Sequence, residues 1–151
     1  MAFIPGGTTL ILLLSHMARW RKAIFIGRSD PDSGLDQYQK LAKLKRITLD
    51  IFSHTPNAAK YLPEHDVAFV SGYLTILEAL AAGIPVLANY NNDIKKDYLL
   101  MAPFAEFIDV FSVASQAKLE FNLRRISNGR KWAQQQTWAK LAKTYEQLWR
   151  K

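Results

Sequence analysis

Residues 66–88, DVAFVSGYLTILEALAAGIPVLA, decide the fold of this chain. The segment opens with a continuous apolar run at 67–70, which is typical of a strand covered on both faces of a sheet. Ser71-Gly72 ends that run, and the good helix formers at 75–82 then predict a helix. Gly83 stands where a helix commonly ends in a left-handed residue, and a proline two positions later stops the helix before a second strand. The segment therefore predicts a strand, a helix and a strand.

Glu78 is the exceptional residue of this segment. It is an acid on the predicted first helical turn, surrounded in sequence by Leu77, Ala79 and Leu80. The turn lies at the end of a strand, where ligands bind in open α/β sheets. Glu78 is therefore a candidate binding residue.

The rest of the chain alternates strand-like and helix-like segments. Apolar runs predict strands at 23–27, 47–52, 85–88 and 107–111, and helical periodicity predicts helices at 35–45, 94–101, 116–127 and 130–149. Residues 56–62 are predicted to be a short helical or irregular link. This alternation predicts one α/β domain, a Rossmann-like doubly wound parallel sheet with helices on both faces and a long C-terminal helix.

Composition limits the class of protein without choosing a function. The 151 residues suit one domain with a proper core. Zero cysteines exclude a disulfide framework and a thiolate metal site. The formal charge of +7 fits phosphorylated ligands, an anionic membrane or nucleic acid.

Residues 1–21 are interpreted as an N-terminal apolar helix or a truncation edge. The run TTLILLL at 8–14 is too short to span a bilayer and lacks the basic start of a signal peptide. It is expected either to pack on the sheet or to join the basic residues 19–22 in a contact with a membrane surface. We expect a cytoplasmic location, with the inner face of a membrane as the site of that contact.

Polar residues at the predicted strand ends suggest a phosphate site. Arg28 follows the first strand and can grip phosphate oxygens, while Ser71, Gly72 and Thr75 open a helix N-terminus that suits an anion. Glu78 can accept hydrogen bonds from paired hydroxyls such as those of a ribose. The alternative keeps Arg28 as a surface ion-pair partner and Glu78 as an acid favoured by the helix dipole.

Other polar residues are weaker candidates. The three histidines have no ligand-like spacing, so no metal site is predicted, although His54 follows the second strand and can reach the cleft. The polar run 89–96 can contact a sugar or form a turn and helix cap, with Asp93 favoured as the cap. Lys95 and Lys96 are expected in solvent.

The segment VSGYLTILEALAAGIPVLA resembles the donor-binding motif of GT-B glycosyltransferases, whose C-terminal half carries a Glu-Ala-x-Ala-x-Gly-x-Pro-Val segment. Three further stretches resemble family segments in the same order: residues 25–28 with 32–35, residues 61–67, and residues 129–131 with 136–138 and 145–149. The resemblance covers residues 22–151, and it is to GT-B enzymes of the family-4-like type. It implies a C-terminal donor domain whose enzyme transfers a hexose to a glycan or lipid-linked acceptor in polysaccharide or glycoconjugate biosynthesis.

The resemblance also implies roles for individual residues. Glu78 would hold the ribose of a UDP- or GDP-linked sugar, and Thr75 with the amides of Leu74 and Thr75 would meet the diphosphate. Gly27, Ser71 and Gly72 are predicted donor-binding residues as well, because small residues after the first strand let the backbone approach a ligand and Ser71 and Gly72 open the helix N-terminus. Arg28 would be the catalytic residue that neutralises the departing phosphate, without a protein-bound metal.

This chain departs from the family pattern at two site positions. A further acid usually stands eight residues before the ribose glutamate, where this chain has Val70. The lysine that partners the phosphate-binding arginine falls at Ser33, so Arg28 stands alone in this comparison. The resemblance is compatible with both inverting and retaining chemistry, and it assigns no residue of this sequence to the nucleotide base.

The acceptor-binding half of a GT-B enzyme is not found in this sequence. The resemblance implies that it lies in the same longer protein or in a separate partner chain. Two other classes stay open: a non-catalytic relative that forms a homodimer, and, last, a basic protein for nucleic acid or a membrane surface, which lacks the aromatic-basic pattern of known modules. The stripe of Trp138, Leu141, Tyr145 and Leu148 is expected to leave an exposed apolar patch.

Overall fold

The computed structural model describes residues 20–118, 122–136 and 138–149. Within them, five parallel strands form one sheet in the order β2-β1-β3-β4-β5. The strands are β1 (Lys22–Ile26), β2 (Thr48–Phe52), β3 (Val67–Phe69), β4 (Val86–Asn89) and β5 (Asp109–Phe111). This is one of the two common strand orders of doubly wound sheets. The predicted Rossmann-like α/β class is confirmed.

Five helices are described, of which the first three connect strands and the last two follow the final strand. They are α1 (Leu35–Lys45), α2 (Tyr73–Ala81), α3 (Asp93–Met101), α4 (Leu123–Gln134) and α5 (Trp138–Trp149). Short 3-10 helices occupy Pro31–Ser33, Ala58–Glu64, Ala105–Phe107 and Ala114–Gln116. Among the described helices, none is long and apolar enough to cross a membrane.

The core is divided by the sheet into two layers, because successive residues of a strand point to opposite faces. In β3, Val67 and Phe69 join the layer beneath α1, whereas Ala68 belongs to the layer beneath α2, α3 and α4. Both layers contain fully buried side chains. The continuous apolar run at 67–70 thus has the cause that the sequence suggested.

The C-terminal helices differ from the prediction. Helices were expected at 116–127 and 130–149, but α4 runs through that boundary and the break falls between Gln134 and Trp138. Gly129, which reads as a helix breaker, is buried inside α4. A Cβ added there would lie 3.1 Å from the Cβ of Phe107 and 3.3 Å from a methyl group of Leu80. The glycine therefore permits close packing of α4 rather than ending a helix.

Helix α2 begins two residues earlier than predicted. Gly72 is its extended N-cap, and the amide of Ile76 donates to the Gly72 carbonyl. Glu78 consequently lies on the second turn, not the first. The helix ends at Ala81, one residue before the predicted end, and Gly83 follows the C-cap Ala82 in the predicted left-handed conformation, with φ +78.

Candidate functional site

A cavity opens at the carboxyl edge of the sheet between β1 and β3. The chain leaves β1 toward β2 on one side and returns to β3 on the other, so this is the point where the strand order reverses. Ligands of doubly wound proteins bind at such points. The cavity has a volume of about 390 Å³, within the range of small-molecule sites.

One wall of the cavity is the loop that follows β1. It contributes Gly27, Arg28, Asp30, Asp32 and Ser33. The loop is folded on itself, because the Ser33 hydroxyl donates to the Asp30 carbonyl at 2.7 Å. Arg28 is exposed, and it forms no ion pair with any residue in the described ranges. That observation removes the support for Arg28 as a surface ion-pair partner.

The opposite wall is the turn between β3 and α2, which contributes Ser71, Gly72 and Thr75. The Thr75 hydroxyl donates back to the Gly72 carbonyl at 2.9 Å, and no side chain caps the helix. The first-turn amides of a helix have no partner within the helix, so they remain free to bind an anion. The helix dipole adds partial positive charge at the same place.

Lys95 of α3 lines the cavity, so the expectation that it lies in solvent is wrong. Its Nζ donates to the Asp32 carbonyl at 3.0 Å and its side chain is half-buried. Desolvation by burial lowers the pKa of Lys95, and the charges of Asp32 and Asp30 partly oppose that effect. Two cationic side chains, Arg28 and Lys95, therefore line the cavity.

The N-cap of α3 explains how Lys95 reaches the cavity. The Asn92 side chain accepts from the Lys95 amide at 2.8 Å, so Asn92 is the cap and the expectation for Asp93 is wrong. The cap starts the helix one residue earlier and places Lys95 in its first turn, at the ligand-binding edge. Asn91 donates to the Pro31 carbonyl at 3.3 Å and helps hold the β1 loop.

Leu74 and Glu78 lie outside the cavity lining among the described residues. Half of Leu74 is exposed, and Glu78 is an exposed residue about 4.5 Å further along the helix axis than Thr75. Desolvation nevertheless raises the pKa of Glu78. A ligand would have to extend from the cavity over the N-terminus of α2 to reach this carboxylate.

The β4 end of the same edge is filled by protein. The buried Tyr38 hydroxyl donates to the Leu87 carbonyl at 2.9 Å and accepts from the Asn89 amide at 2.8 Å. The Asn89 side chain, also fully buried, donates to the carbonyls of Phe111 and Ser112 at 3.1 Å each. A Cβ added to Gly34 would lie 2.3 Å from the Asn89 Oδ1, so the two residues are in tight contact.

The two described histidines lie in different environments. His65 is buried, with Nδ1 2.7 Å from the Tyr61 carbonyl and Nε2 2.8 Å from Asp50 Oδ2. The hydrogen bond to His65 is the main cause that lowers the pKa of Asp50. His54 is exposed after β2 and does not line the cavity. Within the described residues, no three potential ligands converge on a metal position.

An apolar stripe on α3 is exposed next to the site. Ile94 and Met101 are 84% and 83% exposed, and Tyr98 is partly exposed between them. Their i, i+4, i+7 spacing places them on one helix face. The exposed apolar patch predicted on the terminal helix stays a prediction, because the structure does not describe the side chains of Trp138, Leu141, Tyr145 and Leu148. Trp149, on the same helix, is exposed.

Comparison with protein-family models, with curated proteins and with solved structures finds no match to this chain. The resemblance to GT-B donor domains therefore stays a prediction, and the site itself must support any functional proposal.

Proposed function

We propose that this chain is the donor domain of a glycosyltransferase and binds a nucleoside diphosphate sugar, UDP- or GDP-linked, at the β1/β3 edge. The observation that supports this most is the cavity at the strand-order reversal, which combines Arg28, Lys95 and the uncapped N-terminus of α2. The enzyme would transfer a hexose to a glycan or lipid-linked acceptor.

The diphosphate suits the cationic part of this cavity. Arg28 offers planar donors to phosphate oxygens and Lys95 a compact charge, while the first-turn amides of α2 add neutral donors. Asp30 and Asp32 also line the cavity. These acids are suited to accept hydrogen bonds from the sugar hydroxyls, and their negative charge would disfavour additional phosphates.

Glu78 is proposed to bind the ribose. It stands one turn beyond Thr75, so a nucleoside attached to a diphosphate at the helix N-terminus would lie over it. An ionised carboxylate accepts hydrogen bonds from both ribose hydroxyls. Desolvation raises the pKa of Glu78, and its carboxylate can play this role only at a pH above that pKa.

The proposed chemistry is a substitution at the anomeric carbon. The bond from that carbon to the diphosphate oxygen breaks, and its electron pair goes to the diphosphate. An acceptor hydroxyl oxygen bonds to the carbon and loses its proton to a base. Arg28 and Lys95 would stabilise the charge that develops on the diphosphate. The base and the acceptor site would come from a second domain or partner chain.

Calorimetric titration of the full chain with UDP, GDP and UDP-glucose tests the proposal. We expect weak but saturable binding of one nucleotide class, and we expect Glu78→Ala to abolish it because the ribose loses its acceptor. Glu64→Ala is the matched control, since Glu64 is an exposed acid on the 3-10 helix Ala58–Glu64, away from the cavity lining. Absence of binding for every nucleotide at millimolar concentration would contradict the donor-domain proposal.

The exposed stripe of α3 favours a second candidate, a non-catalytic module that forms a homodimer. In this candidate, Ile94, Tyr98 and Met101 of one copy pack on the same face of another. Sedimentation should then show a dimer that Ile94→Asp/Met101→Asp dissociates. A monomer over the whole accessible concentration range would exclude it and leave the stripe available to an acceptor domain.

A further inference from the structure

A second groove lies between α1 and the chain that follows β5. It shares no lining residue with the β1/β3 cavity, and its volume is about 450 Å³. We refer to it as the α1 groove. Leu44, Val113 and Ala114 form its apolar part, and Gln37, Lys40, Lys43 and Ser115 complete it.

A hydrogen bond joins the two chain segments that line the groove. The Gln37 side-chain oxygen accepts from the Ala114 amide at 3.0 Å and fixes the post-β5 chain against α1. Tyr38, Leu41 and Ala42 form the face of α1 that packs on the sheet, so Leu44 points away from the core and is 61% exposed. Val113 is 46% exposed on the other side. Two exposed aliphatic side chains, one from α1 and one from the chain after β5, therefore line the groove.

The charged side chains that line the groove are all positive. Lys40 and Lys43 are exposed cations, and the described lining contains no acid. In the described part of the chain, neither lysine forms an ion pair. Long lysine stems can cover an apolar surface while the ammonium groups stay in water. An occupant that complements both features has an aliphatic part and an anionic end.

The size of the groove favours a small molecule over a protein. Stable protein interfaces use about 20–30 residues a side, whereas seven residues line this groove. From Gln37 to Leu44 the helix rises by roughly 10 Å. The volume lies within the range of small-molecule sites, about 300–1,000 Å³.

We propose that the α1 groove binds a single-chain aliphatic carboxylate, with the chain along Leu44, Val113 and Ala114 and the carboxylate at Lys40 and Lys43. The groove contains no aromatic side chain among its described residues, so stacking of a planar ligand is not provided for. This site is independent of the proposed nucleotide site and does not require it.

Titration of the full chain with octanoate, followed by amide chemical shifts, tests the proposal. We expect saturable changes confined to residues 37–44 and 113–115. Neutral 1-octanol should bind more weakly, and cationic octyltrimethylammonium more weakly still, because only octanoate complements the lysines. Raising the salt concentration should bring the affinities of the three probes closer together, because salt screens the lysine charges.

Charge variants separate this site from general adsorption to apolar surface. Lys40→Gln/Lys43→Gln should weaken octanoate binding about fivefold and leave octanol binding unchanged. Lys45→Gln is the matched control, because Lys45 is an exposed lysine of the same helix outside the groove lining.

Three outcomes of the probe titrations would overturn the proposal. These are equal binding of all three probes, shifts spread over other surfaces, and no saturation at all. Binding to anionic phospholipid vesicles without binding of free octanoate would also overturn it, because that result assigns the groove to a membrane surface.

Discussion

The carboxyl edge of the sheet is open at β1/β3 and closed at β4/β5. At the open end, Arg28 is exposed and the N-terminus of α2 carries no side-chain cap. At the closed end, the fully buried Tyr38 and Asn89 form hydrogen bonds with strand backbone groups and with the chain after β5. The same edge of one sheet therefore has two different local structures.

The difference separates a structural role from a binding role. Buried polar groups that meet their partners within the protein stabilise and define the fold. Donors that face a cavity without such partners are available to a ligand. At the closed end, the Tyr38 hydroxyl and the Asn89 side-chain NH2 are of the first kind, although the buried Asn89 Oδ1 has no hydrogen-bond partner among the described residues. At the open end, Arg28 and the first-turn amides of α2 are of the second kind, so mutations at the two ends are predicted to alter different measurements.

The largest expected effect comes from Gly34→Ala at the closed end. The new Cβ would meet Asn89 Oδ1 at 2.3 Å, and an alanine would have to adopt φ +77. We expect the free energy of unfolding, measured with urea, to fall by roughly 2–5 kcal/mol, combining left-handed strain with overpacking.

Gly83→Ala is the control for the strain in Gly34→Ala. Gly83 has φ +78, but the three atoms nearest to its added Cβ all belong to the flexible Arg130 side chain, the closest at 3.3 Å. We expect a loss of about 1 kcal/mol, from conformation alone. Equal losses in the two variants would mean that the Asn89 contact does not constrain the closed end.

A smaller effect is expected from Lys95→Gln at the open end. The variant should retain its stability and bind a nucleoside diphosphate about tenfold more weakly, because one charged hydrogen bond to phosphate is lost. Lys96→Gln is the control, since Lys96 is an exposed neighbour that lies over the Tyr90 ring rather than in the cavity. Calorimetry in which both variants lose the same affinity would contradict a specific role for Lys95.

The smallest expected effect is a pH dependence that arises from Glu78. Burial raises its pKa, so protonation on acidification begins above the range of an ordinary glutamate, about 4.3. A protonated Glu78 loses its charge as a ribose acceptor. The ratio of wild-type to Glu78→Gln nucleotide affinity should therefore fall as the pH is lowered from 7 towards the ordinary value. A constant ratio over that range would argue against ribose contact.

Much of the fold could be predicted because local patterns agreed with the tertiary structure. The bounds of α1 match the apolar periodicity at 35–45, and β3 matches its continuous apolar run. The error at the C-terminal helices arose because a glycine reads as a breaker when its packing partners are unknown. The contacts of Gly129 with Phe107 and Leu80 are long-range, so they cannot be read from the local sequence.

The candidate site could be predicted only where its residues follow strands directly. Gly27, Arg28, Ser71, Gly72 and Thr75 line the cavity because the carboxyl ends of parallel strands meet at one edge. Lys95 was missed because a lysine after a polar loop is usually solvated. Its contact with the Asp32 carbonyl joins residues 63 positions apart, so the local sequence gives no signal for it.

The most direct test of the account is an amide chemical-shift map of the full chain with UDP and with GDP. The account predicts saturable changes concentrated at residues 27–33, at 71–78 and at Lys95, with little change at residues 87–89. Saturation elsewhere, or no change at millimolar nucleotide, would contradict a nucleotide site at the β1/β3 edge.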